Sequence, residues 1–416
     1  MRAEIVGVGN ELLLGFVDNT NASYLSRALA ALGIETRGHT SVGDDLEEAA
    51  EVIRNALRRA DIVLTTGGLG PTDDDLTREA AAEAVGRPLA EDEGLAEELQ
   101  NRMRSRNRPF SWRVARQANL IRGAWPLNNA HGTAPGQYLF LDDEKRLLAL
   151  LPGPAYELIP MVETHLLPVL SAFRRGPLFR TRTLKFFGIG EPALEETLLS
   201  MDGLHHLVSW APYGKEAELH VCLRAGGGSE EEIQEKLGQA IEMISSRLGK
   251  VLFTVGDGNM EGAVADLLVQ RRLTVGAAES CTGGLLAHRL TNVPGSSAYF
   301  RGGVTCYSGE SKIEVVGVKP AILEEPGVLS AECAAALAEG ARRIFRADLG
   351  VGITGLAGPG GGTPEIPSGT VFFAVDGPHG PVVERGYFPA ARQVTKERTA
   401  QAALDLLRRY LLKSPV

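Results

Sequence analysis

The sequence predicts an α/β protein of several domains: an amino-terminal doubly wound domain on a parallel sheet, a small α+β module, and a carboxy-terminal α/β domain. Three observations carry this. The 416 residues exceed one compact core, since domains run to about 100 to 200 residues. Short apolar, strand-like runs alternate with amphipathic helical stretches at both ends of the chain, the pattern of parallel strands joined by crossover helices. Between them, around Ala172 to Pro177 in SAFRRGP, the apolar periodicity breaks and shorter elements follow. The expected domains are residues 1–173, 176–250 and 256–416.

The first domain opens with the strand-like AEIVGVG, Ala3 to Gly9. A helical pattern follows, with Leu25, Leu29 and Leu32 on one face and Gly33 placed to stop it. After strand-like IETRGHT, Leu46, Ala49, Ile53, Ala56 and Leu57 mark a second helix, and DIVLTT (Asp61 to Thr66) runs into Gly67 and Gly68. Ligands of such β-α-β-α-β sheets bind beyond the carboxyl ends of the strands, so the loops GNELLLG, VGDD and GGLGPTDDD should converge. The middle module reads as strand TRTLKFFGIG, helix PALEETLL, strands HHLVSWAP and AELHVCLRA, a helix from Glu230 to Leu248, and a short strand VLFTV, with VGDGN as a joint. The last domain alternates LTVGAA, a helix after Gly284, FRGGVTCYS, the helix SAECAAALAEGARRIF, LGVGIT, GTVFFAV, VVERGYF and a closing helix with Leu404, Leu406, Leu407 and Leu411.

Composition narrows the function classes. The chain is 44% hydrophobic and 23% charged, which suits packed soluble domains and excludes a mostly disordered or fibrous protein. No apolar stretch reaches the roughly 18 to 20 residues of a membrane span, and MRAEIVGVGNELL lacks the apolar region of a secretory signal. Cys222, Cys281, Cys306 and Cys333 form no Cys-x-x-Cys pair, so neither a disulfide framework nor a zinc ribbon is expected, and reduced thiols fit a cytoplasmic address. A formal net charge of -9 argues against a surface built to hold a nucleic-acid backbone. The 49 Gly fall in clusters, which points to backbone-lined loops.

In the first domain, Asp73, Asp74 and Asp75 precede LTREAAAEAV. One reading is helix capping, with Thr72 as N-cap and acidic residues in the first turn. The other is that Gly67, Gly68 and Gly70 let backbone amides approach a phosphate while a carboxylate holds a divalent cation. Seven Arg, at 102, 104, 106, 108, 113, 116 and 122, form either a solvated face or a guide for an anionic diphosphate. His131 has no second His at ligand spacing and reads as an orienting or packing residue. GNELLLG, VGDD, TTGGLGPTDDDLT, NNAHGTAPG and LPGPAYEL together resemble the amino-terminal domain of the CinA family, which is similar in fold to molybdopterin-binding proteins. The resemblance implies hydrolysis of ADP-ribose to AMP and ribose 5-phosphate with a divalent metal, magnesium or similar. It puts Asp75 and Asp44 on acidic positions of the pattern as catalytic, substrate and metal residues, and leaves Glu11, beside Asn10, as a further metal ligand.

In the last domain, AESCTGG (Ala278 to Gly284) sits where a strand gives way to a helix, a geometry that exposes a nucleophile near unpaired amides. Ser280 is either an N-cap or a nucleophile with Lys312, in CYSGESK, as its base, since no His partner presents itself. Such a lysine must be neutral, which burial can achieve. Cys281 is the rival nucleophile or a packing residue. AESCTGG, RGGVTCYSGESK and TGLAGPGGG, in that order, resemble the carboxy-terminal CinA domain, a nicotinamide mononucleotide deamidase, with Gly309 the one departure noted. The implied reaction releases ammonia and nicotinate mononucleotide, without a cofactor, although potassium is a candidate additional ion. The resemblance implies attack by Ser280, proton transfer by Lys312, orientation of the pair by Tyr307, and an oxyanion held by amides near Thr282, Gly283 and Gly284. It assigns Ser308 and Thr354 to the substrate, and Gly358, Gly360, Gly361 and Arg392 to its 5′-phosphate.

The middle module looks like the KH-type unit of the same family, but Gly188-Ile-Gly190 and Gly226 to Gly228 lack the GXXG spacing between helices that clamps a nucleic-acid backbone, which favours a spacer. A homodimer is expected, with nucleotides as ligands and neither membrane nor nucleic acid as partner. Two competing readings remain at this level: a molybdopterin-binding protein, which leaves Ser280 and Lys312 unexplained, and a nucleic-acid-binding accessory of DNA uptake, which the acidic balance disfavours.

Overall fold

The computed structural model describes residues 1–143, 145–176, 178–215 and 217–413. Pro177, at the expected domain break, and 414–416, the end of the last expected domain, lie outside the described residues. The chain divides into two compact units, Met1–Thr181 with Ala225–Glu235, and Arg182–Arg224 with Lys236–Val416.

The first unit is built on a six-stranded sheet in the order Glu35–Val42, Arg2–Val8, Ile62–Thr66, Arg146–Leu151, Gly136–Leu141, Trp125–Leu127. The first four strands are parallel and the last two antiparallel, with Ile5 opposite both His39 and Leu64. Ile62–Thr66 is buried along its whole length, as a strand covered on both faces must be. One face packs Val6, Val63 and Leu148 against Ala49, Ile53, Leu57 and Ala80, from the helices Leu46–Arg59 and Thr77–Val85. The other packs Ile5 and Leu64 against Leu25, Leu29 and Leu158, from Thr20–Ala31 and Ala155–Met161. Each such Leu or Ile contributes about 1.5–3 kcal/mol on burial, so this packing rather than helix propensity holds the layers together. Helix starts are capped locally: Asn19 accepts from the Ala22 amide and Asp45 from the Glu48 amide.

The second unit carries a five-stranded sheet in the order Phe300–Thr305, Val275–Glu279, Leu349–Gly355, Thr370–Asp376, Val382–Tyr387. Its first three strands are parallel, with Ala277 opposite Gly303 and Val351, and the last two run antiparallel. The closing helix Arg392–Lys413 buries Leu404, Leu406, Leu407 and Leu411 against one face with the helix Met260–Arg271, which the sequence pattern does not mark. The small module forms a four-stranded sheet in the order Ser209–Lys215, Glu218–Gly227, Leu178–Phe186, Leu252–Val255. Within the second unit, Arg408 of the closing helix donates to the carbonyls of Lys250 and Leu252, and Gln401 to Glu218.

Two local expectations are corrected. HHLVSWAP is not strand throughout: Gly203 takes a left-handed conformation, a short helix Leu204–Leu207 follows with Leu204 fully buried, and the strand begins at Ser209. Thr72 is not an N-cap: the helix begins at Thr77 after Leu76, and the Asp75 carboxylate instead folds back onto Thr72. Among the described residues no helix is long and apolar enough to cross a membrane.

Candidate functional sites

At the carboxyl edge of the first sheet the ends of the four parallel strands come together, because adjacent parallel strands end on the same side. Gly9 donates to the Val42 carbonyl and Gly67 to that of Leu151. Gly67 has φ 100 and lies so close to the Val8 carbonyl that any Cβ would clash with it. Its amide is thus already engaged, whereas the next three amides, of Gly68, Leu69 and Gly70, donate to no described residue. Successive free amides of this kind form a concavity suited to an anion.

The Asp75 carboxylate shapes that loop. It accepts from the Thr72 amide at 2.8 Å and the Thr72 hydroxyl at 2.5 Å, and sits where a side chain at position 70 would be, so only glycine fits there. Thr77 donates to the Gly67 carbonyl at 2.8 Å. Arg78, which the sequence reading missed, is 1% exposed and donates to the carbonyls of Leu69 and Gly70 at 2.7 and 3.1 Å. Burial lowers its pKa, and its Nε has no partner among the described residues.

Asp44 and Asn10 bond reciprocally, the Asn10 amide to Asp44 at 2.9 Å and the Asp44 amide to the Asn10 side chain at 3.3 Å. Glu11 is exposed. Among the described residues no three His, Cys, Asp or Glu side chains group as metal ligands, so Glu11, Asp44 and Asp75 do not form an all-protein cage. One or two of these carboxylates could still contribute to the site of a magnesium-type cation, which does not require an all-protein cage.

Part of the arginine cluster is structural. Arg102 donates to the carbonyls of Asn129 and Gly132, Arg113 pairs with Asp73 at 2.7 Å, and Arg116 pairs with Glu79 at 2.9 Å. Arg104, Arg106 and Arg108 are exposed. The NNAHGTAPG loop is held by buried Asn129, which donates to the Ala134 carbonyl and to Glu157. His131 is exposed, and its backbone amide donates to the Asn129 side chain.

In the second unit a cavity of about 300 Å³ opens at the carboxyl ends of Val275–Glu279 and Leu349–Gly355. Ser280, Cys281, Tyr307, Lys312, Thr354, Gly358, Gly360 and Arg392 are among its lining residues. Among the described residues no acidic residue lines it, and its basic lining residues are Lys312 and Arg392.

Lys312 is 2% exposed and lies on the short helix Gly309–Glu314. Its Nζ is 3.1 Å from Ser280 Oγ, 2.7 Å from the Cys306 carbonyl and 3.3 Å from that of Tyr307. Burial lowers its pKa from the usual lysine value. A neutral amine has two N–H groups and one lone pair. With two carbonyls facing Nζ, the lone pair is left for the Ser280 hydroxyl. Burial pushes the Cys281 thiol the opposite way, up to about 12, which leaves it protonated and poorly nucleophilic at neutral pH.

Ser280 is not an N-cap, since the helix begins at Leu285 after Gly284. Glu279, 1% exposed and missed in the sequence, takes the amides of Gly284, Leu286 and Ala287 at 3.1, 3.0 and 2.8 Å. The Gly283 amide donates to the Ser280 carbonyl. The expected oxyanion donors Gly283 and Gly284 are therefore occupied, and the amides of Cys281 and Thr282 are the ones that donate to no described residue. The buried Thr282 hydroxyl also has no partner among the described residues.

Tyr307 reaches Lys312 through its backbone carbonyl, while its ring is 62% exposed and its hydroxyl accepts from Arg392 at 2.8 Å. The side chain therefore belongs to the cavity mouth and not to the Ser-Lys pair. Ser308 caps the Gly309–Glu314 helix in a box with Ser311. Thr354 donates to the Val328 carbonyl at 2.7 Å, which fixes one wall. Arg392 also donates to the Gly358 carbonyl at 2.8 Å. Gly360 is in the wall, and Gly361 stands outside the lining.

Comparison with known proteins matches the chain to three family models in succession: a probable molybdopterin binding domain over residues 4–172, the damage-inducible protein CinA KH domain over 181–254, and the CinA C-terminal domain over 257–411. Relatives align over nearly the whole length. A putative competence-damage inducible protein of Moorella thermoacetica is 44% identical over 99% of both chains, and one of Symbiobacterium thermophilum is 44% identical over the same shares. A CinA-like protein of Dictyoglomus thermophilum is 40% identical over 90% of each. With all three domains matched and identity sustained from end to end, the chain belongs to the CinA family of competence-damage inducible proteins.

Proposed function

We propose that the second unit is a nicotinamide mononucleotide deamidase, a cofactor-independent Ser-Lys amidase. The observation that carries this is the buried Lys312 whose Nζ meets Ser280 Oγ at 3.1 Å in a cavity that no acidic residue lines among the described residues. Ser280 Oγ attacks the carboxamide carbon as its proton passes to Lys312, and the carbonyl oxygen takes the negative charge beside the Cys281 and Thr282 amides. Lys312 returns the proton to the departing nitrogen, which leaves as ammonia. Water then cleaves the Ser280 ester to nicotinate mononucleotide by the same proton route. Replacing Ser280 with Ala should abolish ammonia release from nicotinamide mononucleotide, while Cys281→Ala keeps most of it. A folded but inactive Cys281→Ala, or an active Ser280→Ala, would exchange the two roles.

For the first unit the reading is hydrolysis of ADP-ribose to AMP and ribose 5-phosphate. The free amides of Gly68 to Gly70 suit the diphosphate, and Asp75 with Asp44 are the carboxylates that would share a divalent cation with it. The metal would supply charge neutralisation at the phosphoryl oxygens. The match to a molybdopterin binding domain favours a second reading, retention of a pterin without hydrolysis. Pterin in the purified protein with no AMP formed from ADP-ribose and magnesium would select it.

The protein is further proposed to act in the cytoplasm as a homodimer. Four free cysteines support the address, and the exposed apolar residues Leu13, Leu14, Phe16 and Val17, on either side of Gly15, support self-association. Sedimentation at the 44.4 kDa chain mass across micromolar concentrations would exclude the dimer.

A further inference from the structure

The closing helix Arg392–Lys413 begins against the rule for helix ends. Its first turn holds no acidic residue, although the amino end of a helix carries partial positive charge and favours carboxylates. Instead Arg392 opens it and Lys396 stands one turn later on the same face. Arg392 is tied to the cavity mouth through Tyr307 and Gly358. Lys396 Nζ lies over the turn that follows the nucleophile, 3.5 Å from where a Cβ of Gly283 would be. It is half-buried and makes no ion pair or hydrogen bond with any described residue. The nearest carboxylate along its own helix, Glu397, accepts from Gln393 instead. Two cations and a helix amino end thus converge beside one cavity that no carboxylate lines among the described residues.

An anion suits this arrangement, because Glu279, the carboxylate at the same turn, is already bonded by the amides of Gly284, Leu286 and Ala287. The amide of the substrate belongs at the buried Ser280–Lys312 end, so an anionic group at the far end of the same molecule reaches the mouth, where the helix begins. We infer that Lys396 is a specificity-determining residue that, with Arg392, holds the phosphate monoester of the substrate; this rests on the deamidase reading. Arg392 sets direction with its planar fork, and Lys396 supplies a point charge from the side of the Gly283 turn.

The test compares the full-length protein with Lys396→Gln and Lys396→Arg on two substrates that share the amide and differ in the phosphate, nicotinamide mononucleotide and nicotinamide riboside. The preference for the phosphorylated substrate, as the ratio of kcat/KM values, should fall about tenfold in Lys396→Gln, chiefly through KM, and recover in part in Lys396→Arg. An unchanged ratio, with both substrates slowed alike or neither affected, overturns the inference. A second arm does not depend on turnover: inorganic phosphate should raise the melting temperature of the unmodified protein more than that of Lys396→Gln, and equal shifts overturn the assignment. If the unmodified protein releases no ammonia from either substrate, the deamidase reading fails on its own, and the phosphate arm alone decides whether Lys396 holds an anion.

Discussion

Lys312 shows how one residue's surroundings decide its chemistry. Burial lowers its pKa, so in the pH range between the folded and unfolded values the unfolded chain holds the extra proton and stability rises with pH; below the folded value the cost of the buried charge is present in full. A Lys312→Met protein, freed of that cost, should gain unfolding midpoint relative to the parent at low pH, and the difference should shrink as pH rises toward about 10.4, the ordinary lysine value. Urea or thermal melts across pH measure this, and a difference independent of pH would mean that Lys312 titrates normally. Activity should follow the same group. The acid limb of kcat/KM should fall below the ordinary lysine range, and Lys312→Arg should lose activity at every pH because a guanidinium does not become a base. The pair itself is legible in the sequence, since a Ser at a strand-to-helix turn and a Lys after a Ser-rich turn, without a His, leave few alternatives. Arg78, Glu279 and Lys396 are not legible there, because what they bond or approach is backbone, and backbone partners leave no mark in residue type.

At the scale of elements, strands and helices follow from periodicity, and two of the misreadings fall where two local bonds compete. Thr72 carries the side chain of an N-cap, but Asp75 takes its hydroxyl and amide first, and the helix starts only at Thr77. Ser280 likewise has a capping side chain at a helix start, yet Glu279 collects the amides that a cap would have bonded. That substitution frees the Ser280 hydroxyl for Lys312 and fixes the turn that presents it. Glu279→Ala should therefore cost about 1.5–3 kcal/mol, the range for hydrogen bonds to a charged group, as a loss in unfolding free energy. It should also lower kcat more than it raises KM, because the nucleophile loses its orientation while the cavity mouth is untouched. Glu279→Gln, which keeps an acceptor, should recover part of both. Equal activity in Glu279→Ala and the parent would mean that the turn holds itself.

For the whole molecule, the two readings separate by their need for metal. On the proposed reading, diphosphate cleavage builds charge on phosphoryl oxygens, which the amides of Gly68 to Gly70 would meet directly and the carboxylates Asp44 and Asp75 would meet by holding a divalent cation. Amide hydrolysis at Ser280 would, on the proposed reading, leave its negative charge on one oxygen, which the amides of Cys281 and Thr282 would stabilise without a metal. A chelator should thus stop AMP formation from ADP-ribose and spare ammonia release from nicotinamide mononucleotide. Asp75→Asn should do the same by another route, since an amide side chain keeps the Thr72 turn but gives up the charge. A fragment beginning near Gly256 should still deamidate, because Ser280, Lys312 and Arg392 all lie beyond that point. It should melt lower, because Arg408 would lose the Lys250 and Leu252 carbonyls and Gln401 would lose Glu218. Loss of both activities together in chelated but folded protein, or ADP-ribose cleavage undiminished in Asp75→Asn, would refute the separation.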